Sequence, residues 1–269
     1  MTDFNSMDTT PDAGQQAASD ALVNQPFEQV IVIDGVEYVV TGDTDDAEMS
    51  DVSDEMMGDT LMTEVPQEVV VIDGQEVVVT GDVAGTAADS HLQGDNEFGY
   101  QGDCGLVSAE NILDSFGIDV SENDVVRYAI DHDLCFEGDG TGSDDPAMLG
   151  GTSVEGQAQI LTDLGVPAHG ETGGTLEDLA ANIENGHGVI AEVDAGVIWN
   201  DPNSSGNGQA NHAIVVSGVV RDPATGQIEG FYVNDSGAGE AGKFYDAATF
   251  EEAWINTGGN SVVTDVVHA

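Results

Sequence analysis

Positive charge is what this sequence lacks most. Its 269 residues include 3 Lys+Arg against 52 Asp+Glu, which gives a formal net charge of −49. The cations besides histidine are Arg127, Arg221 and Lys243. A surface this acidic repels the phosphates of nucleic acids and of anionic lipids, so the composition argues against binding to either. Cationic peptides, metal ions and salt are the natural counterions.

Long apolar runs and cysteines are also scarce. No apolar run approaches the roughly 18 residues that a membrane-spanning helix needs. Residues 1–16 lack the basic and apolar regions of a signal peptide. The location therefore stays undecided between the cytoplasm and export by a non-classical route. The two cysteines, Cys104 and Cys135, leave one disulfide as an open alternative.

An internal repeat stands near the N-terminus. The segment EQVIVIDGVEYVVTGD at 28–43 returns as QEVVVIDGQEVVVTGD at 67–82, with 11 of 16 positions identical. An Asp-Gly pair between two β-branched runs predicts a β-hairpin in each copy, turning at 34–35 and 73–74. Because a lone hairpin is marginal in water, the hairpins are expected to pair together, to bind a partner protein, or to add strands to the rest of the chain.

The composition predicts a disordered acidic segment at 1–27, two hairpins with an acidic linker at 28–91, and one domain at 92–269. In that domain, helical periodicity precedes β-branched runs, which favours an α+β fold with an antiparallel sheet. Helices are predicted at 104–116, from the cap at Ser121 to about 131, and at 153–164, 175–185 and 246–256. Strands are predicted at 188–195, 212–220, 230–235 and 261–267.

One group of residues carries candidate chemistry. Cys104 lies where a helix should begin, and a helix N-terminus favours a thiolate because its amides and dipole stabilise negative charge. His212 opens an apolar strand and is the candidate base. Asp235 ends the next strand, so an antiparallel pair would bring it beside His212 as the orienting group. Asn234 is the alternative orienter.

The same residues carry a family resemblance. The motifs QGDCG (101–105), NHAIVVSGV (211–219) and FYVNDSG (231–237) occur in the order of the papain-like cysteine peptidases. The chain is most similar to the bacterial branch related to the double-glycine leader peptidases. The resemblance covers about 92–267 and implies a papain-like fold, with the nucleophile helix packed on an antiparallel sheet.

The resemblance also implies residue roles: Cys104 as nucleophile, His212 as base, Asp235 as orienter and Gln101 in the oxyanion hole. This sequence departs from the family pattern at the glutamine. Gln101 is closer to the cysteine than the family's glutamine usually is, and Gln93 is further away.

The predicted function is hydrolysis of a peptide bond through an acyl-enzyme on Cys104, with His212 as general acid and base. The substrate would be a peptide or protein, and the charge favours a cationic one. Two alternatives stay open: a deamidase or acyl transferase on the same fold, and a non-enzymatic interaction module with a degenerate domain. No cofactor or metal is expected, because the other histidines show no metal-ligand spacing: His91, His132, His169, His187 and His268.

Overall fold

A computed structural model describes most of the chain and divides it into two compact units, Met1–Thr60 and Leu61–Ala269. Several predicted features lie outside the described residues. They are the disordered segment before residue 27, both Asp-Gly turns, the acidic linker and the centre of the loop at 138–145. The described residues are 27–33, 36–42, 67–72, 75–81, 91–139 and 145–268.

The first unit contains one described hairpin. Strands β1 (Phe27–Ile33) and β2 (Val36–Gly42) pair antiparallel, with Ile33 opposite Val36. This register confirms the hairpin predicted from the first copy of the repeat, and β1 begins at the last residue of the segment predicted to be disordered.

The helices of the second unit begin at the residues that local capping rules indicate. Ser121 and Thr175 each form a capping box, with Asp124 and Asp178 respectively. Asp246 caps the last helix by accepting a hydrogen bond from the backbone N–H of Thr249. The helices are α1 (Cys104–Ser115), α2 (Glu122–Asp131), α3 (Val154–Asp163), α4 (Leu176–Glu184), α5 (Ala195–Ile198) and α6 (Ala247–Trp254).

The strands of the second unit form one antiparallel sheet. Its order is β3-β4-β7-β6-β10-β5, and β8 pairs with both β7 and β9. The two strands that the sequence did not predict are β5 and β9. The strands are β3 (Gln67–Ile72), β4 (Gln75–Gly81), β5 (Ala168–Glu171), β6 (His187–Val193), β7 (His212–Arg221), β8 (Ile228–Asp235), β9 (Glu240–Asp246) and β10 (Ser261–Val267).

The second hairpin of the repeat belongs to this sheet. Its strand β4 pairs with β7 from Val78 opposite Arg221 to Gly81 opposite Gly218. Gly81 has a φ of +104°, and an added Cβ there would lie 2.3 Å from the carbonyl oxygen of Ser217. Only glycine fits this close approach. Of the three arrangements left open by the sequence, the second hairpin adopts the one that extends the main sheet.

Helix α1 packs against the sheet and places its first residue at the start of β7. Ser108 of α1 donates a hydrogen bond to the carbonyl of Ala213, 3.3 Å away. Leu106, Ile112 and Leu113 are fully or almost fully buried in the core between helices and sheet. A helix that begins at a cysteine and packs on an antiparallel sheet confirms the predicted α+β fold class.

Within the described part of the chain, no helix combines the length and the apolar character that crossing a membrane requires.

Candidate active site

The histidine and the aspartate of the predicted site come together through strand pairing. β7 and β8 run antiparallel, with Val215 opposite Asn234, so that the start of β7 meets the end of β8. His212 Nε2 lies 2.7 Å from Asp235 Oδ1, and the exposed fractions of the two residues are 3% and 0%. Asn234 has a different partner, because its Oδ1 accepts a hydrogen bond from the backbone N–H of Gly242.

Cys104 is the first residue of α1, and its side chain interacts with the imidazole of His212 and raises the pKa of that ring. Since Nε2 of the ring faces Asp235, Nδ1 is the nitrogen that remains for the thiol. Burial by itself lowers the pKa of His212, but the hydrogen bonds to Asp235 and Cys104 outweigh it and raise that pKa to about 10. The imidazolium is therefore the favoured form of His212 at neutral pH.

Trp199 completes the surroundings of the histidine and was not predicted from the sequence. Its indole Nε1 donates to Asp235 Oδ2 at 2.7 Å, and its ring lies 4.9 Å from the His212 ring. The backbone amides of Gly237 and Ala238 donate to the other carboxylate oxygen. Burial raises the pKa of Asp235, but the hydrogen bonds and the charge of His212 dominate and hold it below its usual value.

Gln101 is exposed, and its described contacts are made by the backbone. Its N–H donates to the carbonyl of Pro146, and its own carbonyl accepts from Gln93 Nε2 at 2.7 Å. Gln93 also accepts a hydrogen bond from the Ser236 hydroxyl. Gln93 thereby links the turn before Cys104 to the turn after Asp235, a role that its sequence position did not reveal.

A second polar pair lies against the start of α1. An added Cβ on Gly105 would approach Gln157 Nε2 to 2.6 Å, so glycine here makes room for the buried Gln157 side chain. Gln157 Nε2 donates to Glu192 Oε1 at 2.6 Å. Burial raises the pKa of Glu192, while Gln157 and the charge of His212 lower it, and the net shift is upward. Nothing in the sequence pattern marked either residue.

Asp103, the residue before the cysteine, is fully buried. Burial first, and then the hydrogen bond and like charge of Glu122, raise the pKa of Asp103 to about 8. Asp103 is therefore mainly protonated at neutral pH. The protonated side chain places no full negative charge next to the candidate nucleophile.

Cys135 differs from Cys104. Both are free cysteines, so the disulfide left open by the sequence is not formed. Burial, followed by the charges of Glu137 and Asp103, raises the pKa of the Cys135 thiol to about 11. Among the described residues, no group of three or more His, Cys, Asp or Glu side chains is placed to hold a metal ion.

Comparison with known proteins places this geometry in a family. Residues 90–262 match the model of the Peptidase_C39 like family, and the chain therefore belongs to that family. It is 29% identical over 175 residues to uncharacterized proteins of Mycobacterium tuberculosis and Mycobacterium bovis, covering 58% of this chain and 73% of theirs. A crystal structure assigned to a C39-like peptidase from Bacillus anthracis is 18% identical, with a TM-score of 0.46 over 69% of this chain and 98% of that one.

Proposed function

We propose that this chain is a cysteine peptidase that uses Cys104 as nucleophile and His212 as general acid and base. The proposal is carried by the placement of His212, which is hydrogen-bonded to Asp235 and interacts with the side chain of Cys104. Membership of the Peptidase_C39 like family supports the same reaction class.

The reaction proceeds in two halves. The Cys104 thiolate attacks the carbonyl carbon of the scissile peptide bond, and a tetrahedral oxyanion forms. His212, as the imidazolium, gives its proton to the leaving amine, and a thioester to Cys104 remains. A water molecule then loses a proton to His212 and attacks the thioester, which releases the carboxylic acid and returns the thiolate.

The oxyanion would lie against the first turn of α1. The first N–H groups of a helix have no partner within the helix, so the backbone N–H of Cys104 is a natural donor. The side chain of Gln101 stays the proposed second donor because it stands just before the cysteine and is exposed. Asp235 binds His212 through Nε2 and is itself held by Trp199, which leaves Nδ1 as the nitrogen that would exchange a proton with the sulfur.

A narrower proposal follows the resemblance of the sequence motifs to the double-glycine leader peptidases. The chain would then cleave after a Gly-Gly pair in a peptide. This is tested by comparing peptides that carry Gly-Gly with peptides that carry Ala-Ala at the same two positions.

The peptidase proposal is tested with a peptide library and mass spectrometry of the products. Wild type and Cys135→Ala should both cleave, and Cys104→Ala should not. Activity that survives in Cys104→Ala would exclude Cys104 as the nucleophile. Ammonia release or peptide transfer without cleavage would support the deamidase or transferase alternative instead. No turnover by any variant would favour an interaction module.

A further inference from the structure

The two copies of the repeat form hairpins with the same strand register. In the first hairpin, Ile33 lies opposite Val36, and in the second hairpin, Ile72 lies opposite Gln75. These two pairs occupy equivalent positions of the repeat. The first copy therefore reproduces the strand pairing of the second copy as well as most of its sequence.

The second hairpin docks on the main sheet through four consecutive residues of β4. They are Val78, Val79, Thr80 and Gly81, which pair with the end of β7. Strand β2 of the first hairpin has the same four residues, VVTG, at 39–42. All positions at which the two copies differ lie outside this stretch. The first hairpin thus carries, unchanged, the residues that pair the second hairpin with β7.

The glycine that ends the stretch is the most specific requirement of this docking. Gly81 has a positive φ, and a Cβ at this position would lie 2.3 Å from the carbonyl oxygen of Ser217. A strand can therefore dock here in the same way only if it has glycine at this position. The first copy meets the requirement with Gly42.

The end of β7 offers a place to one hairpin at a time. Residues 215–221 of β7 pair with β8 on one side, and residues 218–221 pair with β4 on the other. The place beside β4 toward the start of β7 is taken by β6. Two hairpins with the same docking residues are therefore competitors for one sheet edge.

The length of the connecting chain accounts for the hairpin that holds the edge in this structure. Residues 82–91 connect the second hairpin to Leu92, whereas residues 43–91 connect the first hairpin, a connection roughly five times as long. The probability of closing a loop falls with about the −3/2 power of its length, so the second hairpin is favoured about tenfold. The longer connection spans roughly 160 Å when fully extended, so reach does not exclude the first hairpin.

One buried position also favours the second hairpin. Val77 of β4 is buried in a cluster with Val220 and Tyr232, and the first copy has Tyr38 at the equivalent position. A larger side chain in a packed cluster has to displace its neighbours. The first hairpin is therefore the weaker of the two occupants.

The charge of the protein favours exchange within one chain over exchange between chains. Each copy has a formal net charge of −49, so two copies repel one another. A tethered hairpin needs no second copy, because its connection sets its effective concentration near β7.

We infer that the first hairpin, through its VVTG stretch at 39–42, is an alternative occupant of the β7 edge that the second hairpin holds in this structure. In a minor population of molecules the first hairpin pairs with β7, and the second hairpin and the acidic linker become part of the connection to Leu92. This edge lies at the opposite end of β7 from His212, so the inference does not depend on the proposed peptidase function.

A double-mutant cycle in the full-length chain tests the exchange. Gly81→Val blocks docking of the second hairpin, and Gly42→Val blocks docking of the first by the same clash. Urea unfolding is followed by tryptophan fluorescence, which reports on the second unit alone because Trp199 and Trp254 both lie in it.

The exchange predicts that the two substitutions are not additive. Gly42→Val alone should change the folding equilibrium constant by less than about twofold, because the second hairpin stays docked. Gly81→Val alone should lower it about tenfold, the factor set by the longer connection. The double variant should lower it at least about tenfold further, because no occupant remains. A double variant as stable as Gly81→Val alone, or a Gly81→Val chain that does not fold, would overturn the inference.

Disulfide trapping identifies the occupant directly, in a Gly81→Val chain whose two native cysteines are replaced by alanine. Arg221→Cys is combined with Val39→Cys, since Val39 is the equivalent of Val78, which lies opposite Arg221. The matched control combines Arg221→Cys with Val30→Cys. Val30 pairs with Val39 within the first hairpin, so it would lie one strand further from β7.

The two cysteine pairs should differ in their rate of oxidation. Two strand spacings amount to about 9–10 Å, which is too far for a disulfide, so only the 39–221 pair has a suitable geometry. It should oxidise within one chain at least about tenfold faster than the 30–221 pair, as measured by peptide mapping and mass spectrometry. Equal rates would overturn the inference, and so would a 39–221 disulfide that forms only between two chains.

Discussion

His212 and Asp235 meet as a buried pair, with 2.7 Å between Nε2 and Oδ1, at the point where two antiparallel strands bring the start of one beside the end of the other. Trp199 occupies the second oxygen of the same carboxylate. Both oxygens of the Asp235 carboxylate are therefore occupied, which fixes the orientation of the His212 ring.

Asp235→Ala should lower turnover by roughly 10²- to 10⁴-fold, the range typical of groups that orient or assist a general base. Asn234→Ala is the matched control and should reduce turnover less, because the Asn234 side chain binds the backbone of Gly242 rather than His212. Steady-state kinetics on a cleaved peptide, with melting temperatures for both variants, check this. A larger loss in Asn234→Ala would contradict the assigned register.

The two thiols should react at very different rates. Because burial raises the pKa of Cys135 to about 11, its thiolate is rare at neutral pH, whereas Cys104 lies at a helix N-terminus beside an imidazolium. Iodoacetamide at pH 7 should label Cys104 first, and peptide mapping would identify the site. Equal labelling rates would count against the nucleophile, and Cys104→Ser should abolish the fast phase while Cys135→Ser retains it.

The fold was predictable where local rules act alone. Ser121 with Asp124, and Thr175 with Asp178, mark helix starts that the structure contains, and β-branched runs mark eight of the ten described strands. Two strands have no clear apolar alternation: β5, with the sequence AHGE, and β9, with the sequence EAGKFYD. Their strand conformation depends on pairing with distant chain, β5 with β10 and β9 with β8.

The candidate site was predictable only in part, for a similar reason. Cys104, His212 and Asp235 carry chemistry that their types and order reveal. The burial of Glu110 on α1 was not predicted, because it is caused by chain that is distant in sequence. Trp199 likewise acquires its role only through contact with Asp235.

The buried Asp103 should make stability depend on pH. Its pKa is about 8 in the folded chain and about 3.9 when unfolded, so the folded state keeps a proton that the unfolded state has lost. The free energy of unfolding therefore falls as pH rises from about 4 to about 8. Asp103→Asn should flatten this slope in urea titrations at several pH values. Glu252→Gln, on an exposed face, should leave it unchanged, and an unchanged slope in Asp103→Asn would contradict the prediction.

Removal of the two hairpins should have unequal effects. Deleting residues 1–60 removes one compact unit and should leave the melting temperature of the rest nearly unchanged. Deleting residues 1–90 also removes β4, whose Val77 and Val79 cover Val220 and Tyr232, and should destabilise the remainder by several kcal/mol. Equal melting temperatures for the two truncations would show that the 92–269 segment folds independently, as the sequence predicted.

Salt should stabilise this protein because it screens the repulsion between carboxylates, and more salt should stabilise it more. A formal net charge of −49 disfavours any compact state. The Debye length falls from about 8 Å at 0.15 M to about 3 Å at 1 M, so repulsion between exposed carboxylates weakens across that range. Each kcal/mol recovered should raise the melting temperature by about 2–4 °C, measured by differential scanning calorimetry.

Sodium chloride is the informative salt, because sulfate stabilises most proteins through exclusion from their surface. The melting temperature should rise steadily from 0.05 to about 1 M sodium chloride, over which the Debye length shortens severalfold. Divalent cations should act at lower concentration than sodium. A melting temperature that stays flat in chloride would mean that the spacing of the surface carboxylates already relieves their repulsion. Any stabilisation in sulfate would then reflect exclusion alone.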